Sequence, residues 1–195
     1  MIKNLMIVCF GGWLAACGDR SSSKGSKANV PGKHSIFPVT KFFAGQLYEI
    51  DSLNLRAVQY TTTETKTDTA LLSKNEFTLL ANEFMQPDIS DSSLKNYYTE
   101  TSFADQSIPS VTLTYATVKE ELEIQRLDVV IQPDPDESDK VKSVYLEKIT
   151  HREDTLIIKK LLWRTSRYFQ ITTSKQVGQK PATNSQLKVS WNTPY

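Results

Sequence analysis

The fold class predicted for this chain is α+β, with N-terminal helices packed on a mostly antiparallel meander sheet. Three observations predict it. Apolar residues have helical spacing before residue 90, strand-like runs follow residue 99, and the separators between those runs are too short for crossover helices.

The first element is read over 38–50. Val39, Phe42, Phe43, Leu47 and Ile50 fall three or four apart, which sets them on one face of a helix. From 55 to 63 the texture turns β-branched and aromatic, Lys66-Thr67-Asp68 forms a polar turn, and 69–71 makes a short return, so a small hairpin is expected. Ser73-Lys74-Asn75-Glu76 is a capping box, in which hydroxyl and carboxylate each satisfy the other residue's free backbone N–H. Leu72 and Phe77 flank it as a staple, and Phe77, Leu80 and Phe84 continue the buried face until Pro87 stops the helix. Residues 91–97 add a short helical turn.

After residue 99, Val111, Leu113 and Tyr115 alternate with Thr112, Thr114 and Ala116. Further strand-like runs lie at 122–132, 141–149, 155–165, 167–173 and 186–192. Their separators are 133–139, 150–154 and Ser166, so neighbours should pair antiparallel. No internal repeat interrupts the series.

The start of the chain has a different logic. One cation, Lys3, precedes an apolar run from Leu5 to Leu14, and two small residues, Ala15 and Ala16, follow before Cys17. That order is a secretory signal, and the run is too short for the ~20 residues of a membrane span. Leu14-Ala15-Ala16-Cys17 resembles the lipobox of bacterial lipoprotein precursors. The resemblance implies cleavage between Ala16 and Cys17, a diacylglyceryl group on the Cys17 thiol, and acylation of the new amino terminus. Several acyl chains, at ~0.8 kcal/mol per buried methylene, make a durable tether. The expected organisation is therefore a signal peptide at 1–16, lipidated cysteine and flexible linker at 17–36, and one globular domain at 37–195. The Ser-, Gly- and Lys-rich linker would hold the domain roughly 25 Å from the lipid surface.

Charge and cysteine count narrow the function. Lys3 leaves with the signal, so 22 basic residues remain against 22 acidic ones. A net charge of zero argues against a nucleic-acid partner. Cys9 is lost with the signal and Cys17 is consumed by lipid, so the domain holds no thiol for a disulfide, a nucleophile or a metal. Its charge is unevenly spread. Residues 42–139 carry 6 basic and 18 acidic side chains, and residues 140–195 carry 11 basic and 3 acidic. One reading is internal, with acidic and basic strands satisfying each other as neighbours. The other is outward: Lys142, Lys148, Lys160, Arg164 and Lys188, all at even positions, share a solvated face toward an anionic envelope component.

Other chemistry is weakly indicated. His34 lies on the linker and His151 in a hairpin turn, settings that do not orient an imidazole for catalysis. Asp134, Asp136 and Ser138 begin like a calcium loop, but Asp139 stands where Gly is needed and Tyr145 where a bidentate Glu is needed. Glu100, Asp105, Glu120, Glu121 and Glu123 supply carboxylates without a spacing that demands a glycosidase-like pair. No Gly-rich phosphate loop occurs. The expectation is a lipid-anchored protein of the bacterial envelope, at the outer membrane, with Gly18 rather than Asp directly after Cys17. Its partners are the membrane, through Cys17, and an envelope protein or anionic envelope component. The domain is read as a non-catalytic binding or scaffolding module with no cofactor and no metal. The alternatives are a carrier of an apolar ligand, recognisable by an apolar cavity, and a carboxylate hydrolase, recognisable by desolvated carboxylates in a cleft.

Overall fold

A computed structural model describes residues 36–53, 55–134 and 139–191. The signal segment, Cys17, the linker with His34, and Asp136 and Ser138 of the candidate calcium loop lie outside them. Helix α1 (Val39–Ser52) leads into the hairpin β1 (Ala57–Thr63) and β2 (Thr67–Leu72). Helix α2 (Lys74–Ala81) follows and runs on into a 3-10 turn (Asn82–Phe84), with a second 3-10 turn at Lys95–Tyr97. Seven strands complete the domain: β3 (Thr99–Asp105), β4 (Ser110–Ala116), β5 (Ile124–Gln132), β6 (Lys140–Arg152), β7 (Thr155–Arg164), β8 (Tyr168–Val177) and β9 (Thr183–Ser190).

All nine strands form one antiparallel sheet in the order β2-β1-β9-β8-β7-β6-β5-β4-β3. Strands hold 51% of the described residues and helices 19%, so the domain is sheet-dominated. The expected order of helices first and sheet afterwards needs correction. The β1–β2 hairpin, expected between the two helices, is part of the same sheet as the later strands, because β1 pairs with the last strand, β9. Strand β3 is an addition to the strands expected. It is an edge strand, largely exposed, with a polar sequence that gives no apolar alternation.

Local chemistry explains the helix starts. Ser73 Oγ accepts from the Glu76 N–H at 3.3 Å, while Glu76 Oε2 accepts from the Ser73 N–H at 2.8 Å. These bonds close the capping box, and the Ser73 hydroxyl and then its N–H, both donating to Glu76 Oε2, hold that carboxyl below its ordinary pKa. Helix α1 lacks a side-chain cap, so its stability rests on burial of Val39, Phe43 and Ile50.

Both helices lie on one face of the sheet. Trp163 on β7 is fully buried at the hub, with ring centroids 5.1 Å from Phe43 of α1, 5.2 Å from Phe84, 5.1 Å from Phe169 of β8 and 5.2 Å from Trp191. Phe77 of α2 meets Trp191 edge-on at 5.3 Å. Rings of this size carry most of the buried apolar area, and their edge-to-face pairs add ~0.5–1.5 kcal/mol each. Gln46 of α1 fastens the β7–β8 turn by accepting from the Ser166 N–H at 3.1 Å.

Candidate functional site

The register divides the helix-side face of the sheet into rows. Val144, Trp163, Phe169 and Val189 lie side by side on β6, β7, β8 and β9, and the next row reads Leu146, Leu161, Ile171 and Leu187. One row further along the same strands, the sequence becomes Lys148, Lys159, Thr173 and Ser185, then Thr150, Ile157, Lys175 and Thr183. All four strands thus switch from apolar to polar at one level, with Ile157 the one apolar side chain in the row beyond it. The helices and their aromatic rings cover the apolar rows. The polar rows border three adjoining clefts of about 620, 250 and 400 Å³. The largest lies between β6–β7 and the segment after α2, and Glu83 and Lys159 are shared with the second.

Two lysines stand at the centre of this trough. Lys148 and Lys159 are direct cross-strand partners, an arrangement that like charges ordinarily make unfavourable. Carboxylates from outside the pair offset it. Lys148 Nζ lies 3.3 Å from Glu123 Oε1 and also donates to the Gln86 carbonyl. Lys159 Nζ donates to Glu83 Oε2 at 2.8 Å. The Lys148 side chain is only 4% exposed, whereas Glu123 is 45% exposed. Arg152, two residues along β6 from Thr150 and exposed, also lines the largest cleft.

The structure scatters the even-position lysines and arginine. Lys160, Arg164 and Lys188 do share the outer face, where Lys160 stands opposite Glu147 and Lys188 packs over the Tyr168 ring at 4.7 Å. Lys148 does not join them; it is buried on the opposite face. Lys142 sits at a bulge, because Val130 pairs with Ser143 and Ile131 with Val141. The physical reason is turn length. Arg152 pairs with Thr155 across a two-residue turn, so even positions on β6 share a face with odd positions on β7. Arg164 pairs with Tyr168 across a three-residue turn, which preserves parity from β7 to β8.

The acidic candidates stay apart. Asp105 accepts from the Ser107 hydroxyl at 2.7 Å and from the Ile108 and Ser107 N–H groups at 3.2 and 2.9 Å in the β3–β4 turn, which holds its carboxyl below the usual range. Glu100 lies on edge strand β3 beside the Tyr115 hydroxyl, Glu121 pairs with Lys119 at 3.8 Å, and Glu123 belongs to Lys148. Asp134 pairs with Lys140 at 3.1 Å. His151 is exposed near the end of β6, opposite Leu156. Among the described residues no group of three His, Cys, Asp or Glu is placed to hold a metal ion. No helix among them is long and apolar enough to cross a membrane.

Lys159, Lys175 and Glu83 are trough residues at odd positions, outside the even-position pattern, and Arg152 is a further trough residue at an even position that the pattern did not include. A signal for one of them exists, since adjacent residues on a strand face opposite sides and Lys159-Lys160 must therefore send one lysine inward. Fold and site define a class: an open antiparallel sheet whose one face is part covered by helices and part left as a polar trough. Comparison with protein-family models, with curated proteins and with solved structures found no match.

Proposed function

We propose that this chain is a lipid-anchored envelope protein, tethered through Cys17 at the outer membrane, whose domain is a non-catalytic binding module working through the trough. The observation that carries the binding reading is the contrast between two spaces. The apolar pocket between α1, α2 and the hairpin, lined by Leu47, Ile50, Leu55 and Phe77, is about 90 Å³, while the largest trough cleft is about 620 Å³ and polar. Ligand sites generally need ~300–1,000 Å³, so this apolar pocket is too small for an acyl chain while the open polar cleft has room for a polar ligand. The carboxyls of Glu76, Asp91 and Asp105 are held below their usual range by cap and turn hydrogen bonds that favour the anion, the opposite of a general acid.

The anchor is tested by palmitate. The full chain expressed in a bacterial host should incorporate radioactive palmitate and float with membranes, and Cys17→Ser should do neither. Normal labelling of the variant would end the lipoprotein reading. For the module, titration with a fluorescent fatty acid should give no saturable uptake; one-to-one uptake would favour a carrier instead.

A further inference from the structure

We infer that the trough binds an anionic glycan, a chain of sugars bearing carboxylate or phosphate groups, laid across strands β6, β7, β8, β9 and β1. This inference rests on the binding-module reading and names its ligand class. Three features of the trough support it.

The first is shape. The row Lys148, Lys159, Thr173, Ser185 and Thr63 crosses five neighbouring strands without a break. Four strand spacings of about 4.8 Å give a path of about 19 Å, long enough for several linked units and too long for a single small anion. The clefts along it adjoin one another, the first two sharing Lys159 and the last two sharing Thr173 and Ser185.

The second is donor chemistry. Hydroxyls of Thr and Ser both donate and accept, as sugar hydroxyls do, and Thr150, Thr173, Thr183 and Ser185 line the path between the cations. Lys175 and Arg152 are exposed and have no carboxylate bonded to them among the described residues, so their charge is available to a ligand oxyanion. Glu123 and Glu83 neutralise Lys148 and Lys159, and Glu64 borders the third cleft together with Lys175, so the positive charge offered to a ligand is that of Arg152 at one end of the path and Lys175 toward the other.

The third is what the lining lacks. Among the described residues bordering the three clefts, none is aromatic. A single-stranded nucleic acid needs such rings for base stacking, and a neutral sugar chain without a ring to stack on would have little to hold it. Charge must therefore supply the affinity. An acidic peptide that adds a strand would need a free sheet edge, and the trough crosses the face of strands β6, β7, β8, β9 and β1, each of which is paired on both sides.

The test uses the mature chain carrying Cys17→Ser, titrated calorimetrically with oligogalacturonate, a phosphorylated oligomannose, neutral maltohexaose and oligoglutamate. At least one of the two anionic glycans should bind, more weakly as salt rises, and which one binds distinguishes carboxylate from phosphate. Maltohexaose should not bind. Arg152→Gln and Lys175→Gln, both at exposed positions, should each weaken binding about tenfold with unchanged melting, whereas Lys160→Gln on the outer face should leave it intact. Binding of oligoglutamate alone, lost in the trough variants, would overturn the glycan inference and leave the binding-module reading standing. Binding of neither glycan nor peptide would overturn the inference, and normal palmitate labelling in the same preparation would show that the anchor reading is unaffected. Glycan binding that survives both trough variants would also overturn it, because the site would lie elsewhere.

Discussion

Lys148→Met should leave stability within about 1 kcal/mol of the parent, while Glu123→Gln should cost about 1–3 kcal/mol. The order is opposite to what burial alone suggests, since Lys148 is the buried partner and Glu123 the half-exposed one. Methionine retains the unbranched stem and its packing. It removes a hydrogen bond to the Gln86 carbonyl, a loss of about 1 kcal/mol, and returns the Glu123 carboxylate to water at little cost. Against these it relieves the desolvation of a buried ammonium and the like-charge contact with Lys159, the latter about 0.2–1 kcal/mol. In Glu123→Gln the ammonium stays buried and loses its counter-charge. Such losses reach about 3–5 kcal/mol for fully buried pairs, and water at the exposed carboxylate reduces the figure here. Urea unfolding of the Cys17→Ser chain, followed by fluorescence of the core residues Trp163 and Trp191, measures both. The double variant should resemble Lys148→Met. If Lys148→Met cost 3 kcal/mol or more while Glu123→Gln were neutral, Lys148 would be structural and the argument that it serves a ligand would fail.

The outer face gives a second expectation. Lys160→Glu sets a carboxylate opposite Glu147 and should cost about 0.2–1 kcal/mol, whereas Arg164→Glu faces Ser143 and Tyr168 and should cost under about 0.5 kcal/mol. The reverse order in unfolding measurements would refute the register. Alkaline titration gives a third. Burial pushes the phenols of Tyr98, Tyr115 and Tyr145 up to about 12 from 10.0. A raised folded pKa favours the neutral phenol, so its stabilisation is complete below pH 10 and lost as pH rises from 10 toward 12. Phenolate absorbance should therefore show these three ionising late, together with unfolding. All tyrosines ionising near pH 10 in a chain that stays folded would contradict their burial.

Much of the local structure is legible in the residues themselves. The Ser73–Glu76 box marks the start of α2 because its partners are three residues apart and need nothing from the rest of the chain. The spacing of Val39, Phe43 and Ile50 gives α1 for the same reason. Strand β3 is hidden because an edge strand pairs through its backbone, and its side chains need not alternate. The trough is partly hidden too. Each strand shows a change from apolar to polar along one parity, as in Phe169, Ile171, Thr173 and Lys175, but the alignment of four such changes into one row depends on register.

The sequence by itself determines the chemistry of single segments: the capped helix, the antiparallel run of strands, the absence of thiols from the domain, and the charge imbalance between its two parts. The tertiary structure alone decides which side chains meet. A two-residue turn at Glu153-Asp154 sets Lys148 opposite Lys159 on the inner face, while Lys160 and Arg164 point outward, and a bulge takes Lys142 out of the pattern. Pairing of β1 with β9 draws the early hairpin into the sheet and extends the polar row to Thr63. Face assignment flips with each one-residue change in loop or bulge length, and pairing between distant strands is a sum of many weak contacts across the fold. Neither is written in any one stretch of the chain.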